Sequence, residues 1–186
     1  MSTNIITGYE LLQRVTALGF TDVKIFRDAN YFLPSREWLG NTFAPFLKSE
    51  FWAYQRAYIK SKFDCEDFAF EAQLEADIDR YVQSRAAKFA LKAATRSLVA
   101  NSEIGDAGHA FLYVEVGLYP GKSLNGVAGP GGHATNLCLH PDGSATLFEP
   151  QNSFLTDAVQ ALDPIQPNED RDRPSHRLCT PRWAWV

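Results

Sequence analysis

Two runs rich in apolar and β-branched residues, Ala134 to His140 and Ser144 to Glu149, flank the tripeptide Pro141-Asp142-Gly143. This feature leaves the chain the least conformational freedom. Proline presets one turn dihedral, aspartate accepts from the backbone ahead of it, and glycine supplies a positive φ. The runs are therefore expected to close into a β-hairpin. A third strand signal precedes them in Phe111-Leu112-Tyr113-Val114-Glu115-Val116, where aromatic and branched side chains crowd together. A Gly/Pro-rich loop over 117–132 joins it to the hairpin.

Before residue 101 the signals are mostly helical. Thr7 followed by Glu10 makes a capping box, and Leu11, Leu12, Val15 and Leu18 recur at helical spacing, which predicts a helix over 8–18. A short strand is expected around Val23, Ile25 and Phe26. Ser35 and Ser49 are expected to cap two short helices, with Pro45 interrupting between them. Asp64 can cap the next helix, which carries Phe68, Ala69, Ala72 and Leu74 on one side. An Ala-rich helix is expected over 84–100, with Lys88, Lys92 and Arg96 on its solvated face. Helices first and strands second predict an α+β domain, with an N-terminal helical half (1–100) packed on a C-terminal antiparallel sheet (101–152). Pro167, Pro174 and Pro181 among mixed charges predict an irregular tail over 165–186, ending in tryptophans that dock back on the domain.

Composition narrows the function classes. The 186 residues, 45% hydrophobic and 13% aromatic, fit one domain with its own core. A net charge of −4 argues against a nucleic-acid partner, because phosphate backbones call for surplus Lys and Arg. No segment reaches the roughly 18 apolar residues of a membrane span, and the N-terminus lacks a signal-peptide pattern. A chain that is cytoplasmic at synthesis, without a membrane partner, is expected. Cys65, Cys138 and Cys179 form no close pair, so neither a disulfide framework nor a Cys-x-x-Cys metal knuckle is expected.

Chemistry concentrates in two places. In Phe63-Asp64-Cys65-Glu66-Asp67-Phe68-Ala69, an Asp64 cap sets Cys65 in a first helical turn, where free amides favour a thiolate. In Gly132-His133-Ala134-Thr135-Asn136 and Phe148-Glu149-Pro150-Gln151, the base His133 opens one hairpin strand and the acid Glu149 closes the other. Cross-strand neighbours lie about 5 Å apart, so the carboxylate can orient the imidazole. Nucleophile, base and orienting acid in this order point to a cysteine hydrolase working through a thioester. His109, which also opens a strand, competes with His133 for the base role but lacks an acid at hairpin distance. Gln151, Asn136, Gln55 and Trp52 are the candidates for completing an oxyanion hole or lining the cleft.

These strings resemble the transglutaminase-like branch of the papain-like superfamily. They look closest to the calcium-dependent cysteine peptidase domain attached to the Marasmius oreades agglutinin, with related stand-alone bacterial and phage proteins. The resemblance covers about residues 28–152. It implies a papain-like fold, Cys65, His133 and Glu149 as catalytic residues, and a peptide or protein substrate. It also implies that the acids after the nucleophile, Glu66 and Asp67, help hold calcium, where the agglutinin pattern has Asp in both places. No organic cofactor is expected. The alternatives are an acyl transferase of the transglutaminase kind, and a catalytically silent module on the same fold that binds a metal or a partner.

Overall fold

A computed structural model describes residues 4–24, 28–53, 64–79, 107–163 and 177–185. The Ala-rich segment 84–100, Gln55 and the tail up to 176 lie outside the described residues.

The chain begins with β1 (Ile5–Thr7) and α1 (Gly8–Ala17). The capping box forms as the sequence predicts: Thr7 Oγ1 accepts from the Glu10 N–H, and Glu10 accepts from the Thr7 N–H at 2.8 Å. Gly19, with φ 96°, lets the chain leave the helix. Strands β2 (Asp22–Lys24) and β3 (Asn30–Phe32) follow, so the N-terminal half is not wholly helical.

A π-helical turn, Trp38–Phe43, runs straight into α2 (Ala44–Ala53). The expected break at Pro45 does not occur, and Ser49 lies inside α2 rather than capping a second helix. Ser35 does cap, accepting from the Trp38 N–H at 3.0 Å. The Ala44 N–H reaches back five residues to the Leu39 carbonyl. A widened turn just ahead of proline absorbs the ring and its missing donor. Helix α3 covers described residues 65–79.

The second half supplies β4 (Gly108–His109), β5 (Phe111–Leu118), a small hairpin of β6 (Ser123–Leu124) and β7 (Val127–Ala128), and β8 (Gly131–Leu139). Next come β9 (Ala145–Glu149), β10 (Phe154–Asp157), the single turn α4 (Ala158–Ala161) and β11 (Cys179–Trp185). β8 and β9 form the predicted hairpin, with Gly143 at φ 86° and the Ser144 N–H donating to Asp142 Oδ1 at 2.9 Å.

The main sheet has the order β10-β9-β8-β5-β11-β2. The expected irregular tail is therefore corrected at its end: β11 is an interior strand, antiparallel to β5 and parallel to β2. Pro181 is tolerated at an irregularity in the register between Pro181 and Trp183. The parallel pair also makes the sheet mixed rather than wholly antiparallel. The fold class is α+β.

Both sheet faces are covered. Leu112, Val114 and Val116 of β5 pack with Leu11 and Val15 of α1. Phe111 meets Phe43, Leu47, Phe68 and Ala72 from the π-turn, α2 and α3. Burial on two sides explains why β5 carries a nearly continuous apolar run instead of strict alternation.

Candidate functional site

The N-terminus of α3 is built by three acids, Asp64, Glu66 and Asp67, around one cysteine. Asp64 Oδ1 accepts from the Glu66 N–H at 3.3 Å, while Asp67 Oδ2 accepts from the Asp64 N–H at 3.1 Å. The Phe68 N–H donates to the Asp64 carbonyl at 3.2 Å, the first bond of the helix. Asp64 is thus the cap and Cys65 the first helical residue. The Cys65 side chain is partly buried against Ala69, Tyr113 and Ala134.

His133 on β8 and Glu149 at the end of β9 are both buried. Their Nε2 and Oε2 atoms are 2.5 Å apart. Glu149 Oε1 also accepts from the Gln151 N–H at 3.3 Å. Burial pulls the His133 pKa down, but hydrogen bonds to Cys65 and Glu149 outweigh it, and the pKa is raised to about 9. With Nε2 on Glu149, Nδ1 is the ring nitrogen left for Cys65. The structure brings Cys65, His133 and Glu149 into one hydrogen-bonded group.

The other predicted residues scatter around this group. Asn136 Nδ2 donates to the Ala69 carbonyl at 2.8 Å and the Leu112 carbonyl at 3.4 Å, so it ties α3 to the sheet and does not line a cleft. Thr135 Oγ1 donates to the Phe148 carbonyl at 2.6 Å, pinning the hairpin. Gln151 borders a separate hollow of about 450 Å³ with Phe51, Phe68 and Lys48. The Trp52 side chain and Gln55 lie outside the described residues. His109 is buried beside Trp38, ring centroids 4.9 Å apart, rather than beside Cys65. His140 is buried: its Nδ1 meets the Pro34 carbonyl at 2.9 Å and its Nε2 meets Thr146 Oγ1 at 2.8 Å.

Glu66 and Asp67 sit side by side in the first turn of α3. Asp67 is engaged in the cap. Among the described residues no group of three or more His, Cys, Asp or Glu side chains is arranged to hold a metal ion. Burial first, then the Asp64, Glu115 and Asp67 carboxylates, raises the Glu66 pKa.

Sequence reasoning missed the groove beside this group. A hollow of about 560 Å³ is bordered by Glu66 and Phe70 from α3, Tyr113 and Glu115 from β5, and Trp183 from β11. The Tyr113 and Trp183 ring centroids are 5.1 Å apart at 30°. The Tyr113 hydroxyl donates to Glu115 Oε1 at 3.5 Å, and burial, reinforced by Glu115 and Glu66, pushes its pKa up. The Lys24 ammonium lies 5.6 Å from the centre of the Trp183 ring. The signal was present in part, since residues two apart on a strand, such as Tyr113 and Glu115, share a face. Nothing local announces that Trp183 joins them.

No protein-family model matches the chain, and no curated protein matches it by sequence. Its fold is shared with a solved structure described as "PSL1a-E64 complex", with a TM-score of 0.58 and 15% identity, over 100% of this chain and 52% of that one. A structure of Polyporus squamosus lectin bound to the human-type influenza-binding epitope Neu5Aca2-6Galb1-4GlcNAc aligns with 83% of this chain and 46% of its own, at a TM-score of 0.48 and 15% identity. The chain spans about half the length of these proteins. PSL1a is a Polyporus squamosus lectin related to the Marasmius agglutinin family, so that resemblance is upheld at the level of the fold.

The comparisons correct the functional expectation. The solved structure that shares this fold is of a lectin, so the order Cys65, His133, Glu149 on this fold does not by itself make a peptidase or amidase. The cysteine hydrolase, its thiol-protease chemistry and catalytic triad, the acyl-transferase alternative and the peptide or protein substrate are all withdrawn.

Proposed function

We propose that the chain is a carbohydrate-binding module whose binding face is the groove between α3 and strands β5 and β11. One observation carries this reading: aromatic side chains and carboxylates converge on a single hollow of about 560 Å³. A sugar ring presents a face of C–H groups and a rim of hydroxyls. Tyr113, Trp183 and the half-exposed Phe70 offer apolar area to the first. Glu66 and Glu115 accept hydrogen bonds from the second, and bonds to an ionised acceptor are stronger than neutral ones. Polar groups set around an apolar floor are a common make-up of a small-ligand site.

Cys65, His133 and Glu149 have a positioning role in this reading. Their shared hydrogen bonds hold the first turn of α3 against the sheet, and that turn carries Glu66 to the groove. Asn136 does the same one turn further on.

Glycan-array screening of the whole chain, followed by calorimetry on the best glycan, tests the proposal. Trp183→Ala is expected to weaken binding at least tenfold while the circular dichroism spectrum stays native. E64, which names the PSL1a complex, belongs in the same calorimetric panel. Binding of E64 with no response to any glycan overturns the carbohydrate reading.

A further inference from the structure

We infer that the hollow between α2 and the turn after β9 is a second sugar subsite, selective for a sugar that carries a carboxylate; this rests on the carbohydrate reading above and extends it. The hollow measures about 450 Å³ and shares no bordering residue with the groove. Its floor is apolar. Phe51 and Phe68 are buried there edge to face, ring centroids 5.0 Å apart, with Pro45 and Pro150 beside them. Its rim is polar, made by Lys48 and Ser49 of α2 and by Gln151. Pro45, Lys48 and Ser49 stand at i, i+3 and i+4, so one face of the helix presents all three.

The chemistry of the rim names the ligand. The Lys48 ammonium, the Ser49 hydroxyl and the Gln151 amide can all donate hydrogen bonds. None of these side chains has a hydrogen-bond or ion-pair partner among the described residues, and no carboxylate is among the residues that border the hollow. A carboxylate only accepts, through two oxygens, and its bonds to an ammonium are roughly twice as strong as neutral ones. A neutral sugar can satisfy the serine and the amide but leaves the ammonium without counter-charge. The C–H face of the same ring covers the phenyl and proline floor. The wall that carries Gln151 is also fixed in advance. Its N–H is bound by Glu149 Oε1, the Ser153 N–H donates to the Glu149 carbonyl at 2.8 Å, and Ser153 Oγ donates to the Ala44 carbonyl at 3.4 Å. Little ordering of the backbone is left to oppose binding.

Calorimetric titration of the full chain at low ionic strength tests the subsite. The probes are a galacturonic acid trisaccharide, its methyl ester, and cyclohexanecarboxylate as an acid without a sugar. The acid sugar is expected to bind about tenfold more tightly than the ester, an advantage that shrinks as salt is added. Lys48→Gln is expected to erase that preference without weakening the ester. Gln151→Glu, which sets a carboxylate on the rim, is expected to weaken the acid sugar several-fold while the circular dichroism spectrum stays native. Equal binding of acid and ester, or a preference that survives Lys48→Gln, overturns the acid-selective subsite and leaves the carbohydrate reading standing. If neither sugar binds while cyclohexanecarboxylate does, the hollow takes a plain organic acid, and both the subsite and its carbohydrate premise fall.

Discussion

Glu149 holds His133 from a diagonal position on the hairpin, not from directly across it. The β8–β9 register pairs Asn136 with Phe148, so one further step sets Glu149 against Thr135, two residues from His133. Diagonal neighbours on paired strands are within reach of long side chains, and here the gap closes to 2.5 Å.

That contact predicts a pH dependence. The imidazole stays charged in the folded protein up to about pH 9, against an ordinary value of 6.5. A raised pKa stabilises the fold fully below pH 6.5, and the stabilisation is lost as the pH climbs toward 9. The amount is on the order of 3 kcal/mol, or roughly 10 °C in Tm for a chain of this size. Calorimetric melts of wild type from pH 6 to 9.5 should show that decline. His133→Gln should start lower, because it leaves Glu149 buried without its partner, and should be flat over the same interval.

The three thiols should separate by exposure. Cys138 and Cys179 are completely buried, and burial pushes the first well above the ordinary thiol range and the second up to about 12. Cys65 is only partly buried. Iodoacetamide followed by mass spectrometry should label Cys65 alone in the native protein and all three cysteines in denaturant. Native labelling at Cys138 would mean that the packing of Phe111, Phe148 and α2 is wrong.

Asn136 should matter more than its distance from the groove suggests. Its amide bridges the Ala69 and Leu112 carbonyls from a fully buried position. Asn136→Ala is expected to cost about 1–3 kcal/mol in urea unfolding. The same variant should label faster at Cys65, because α3 loses its tie to the sheet. A loss of stability with unchanged labelling would remove the positioning role.

Deleting residues 179–186 should abolish cooperative unfolding. β11 lies between β5 and β2, with Cys179 and Ala184 fully buried. The truncated chain should give no sharp thermal transition, and its fluorescence should resemble that of the urea-unfolded protein.

What the sequence disclosed followed the range of the interactions. Thr7 with Glu10, Asp64 with Cys65, and Pro141 to Gly143 act over no more than three positions, and each appears in the structure where its local chemistry puts it. The gathering of Cys65, His133 and Glu149 was legible too, because a helix start and a hairpin each constrain their own residues. β11 was not, since Pro181 and the charges before it conceal a strand whose partners lie more than sixty positions away at Val116 and more than 150 away at Val23. The groove escaped for the same reason, requiring Phe70, Tyr113 and Trp183 from three distant segments. The use of the site was misjudged because a hydrogen-bonded Cys-His-Glu group can hold a helix in place as readily as it can attack a carbonyl.

The position of β11 also shapes how the molecule must be made. Between Leu118 and Cys179 the growing chain carries β5 with one edge unfilled, a long apolar strand offering its amides and carbonyls to any passing partner. That vacancy persists while the β8–β9 hairpin is already able to form. The sheet is therefore completed from its middle, and late. Slow closure of this kind favours aggregation of incomplete chains, and folding yield should depend more on the speed of that last insertion than on the strength of the finished core.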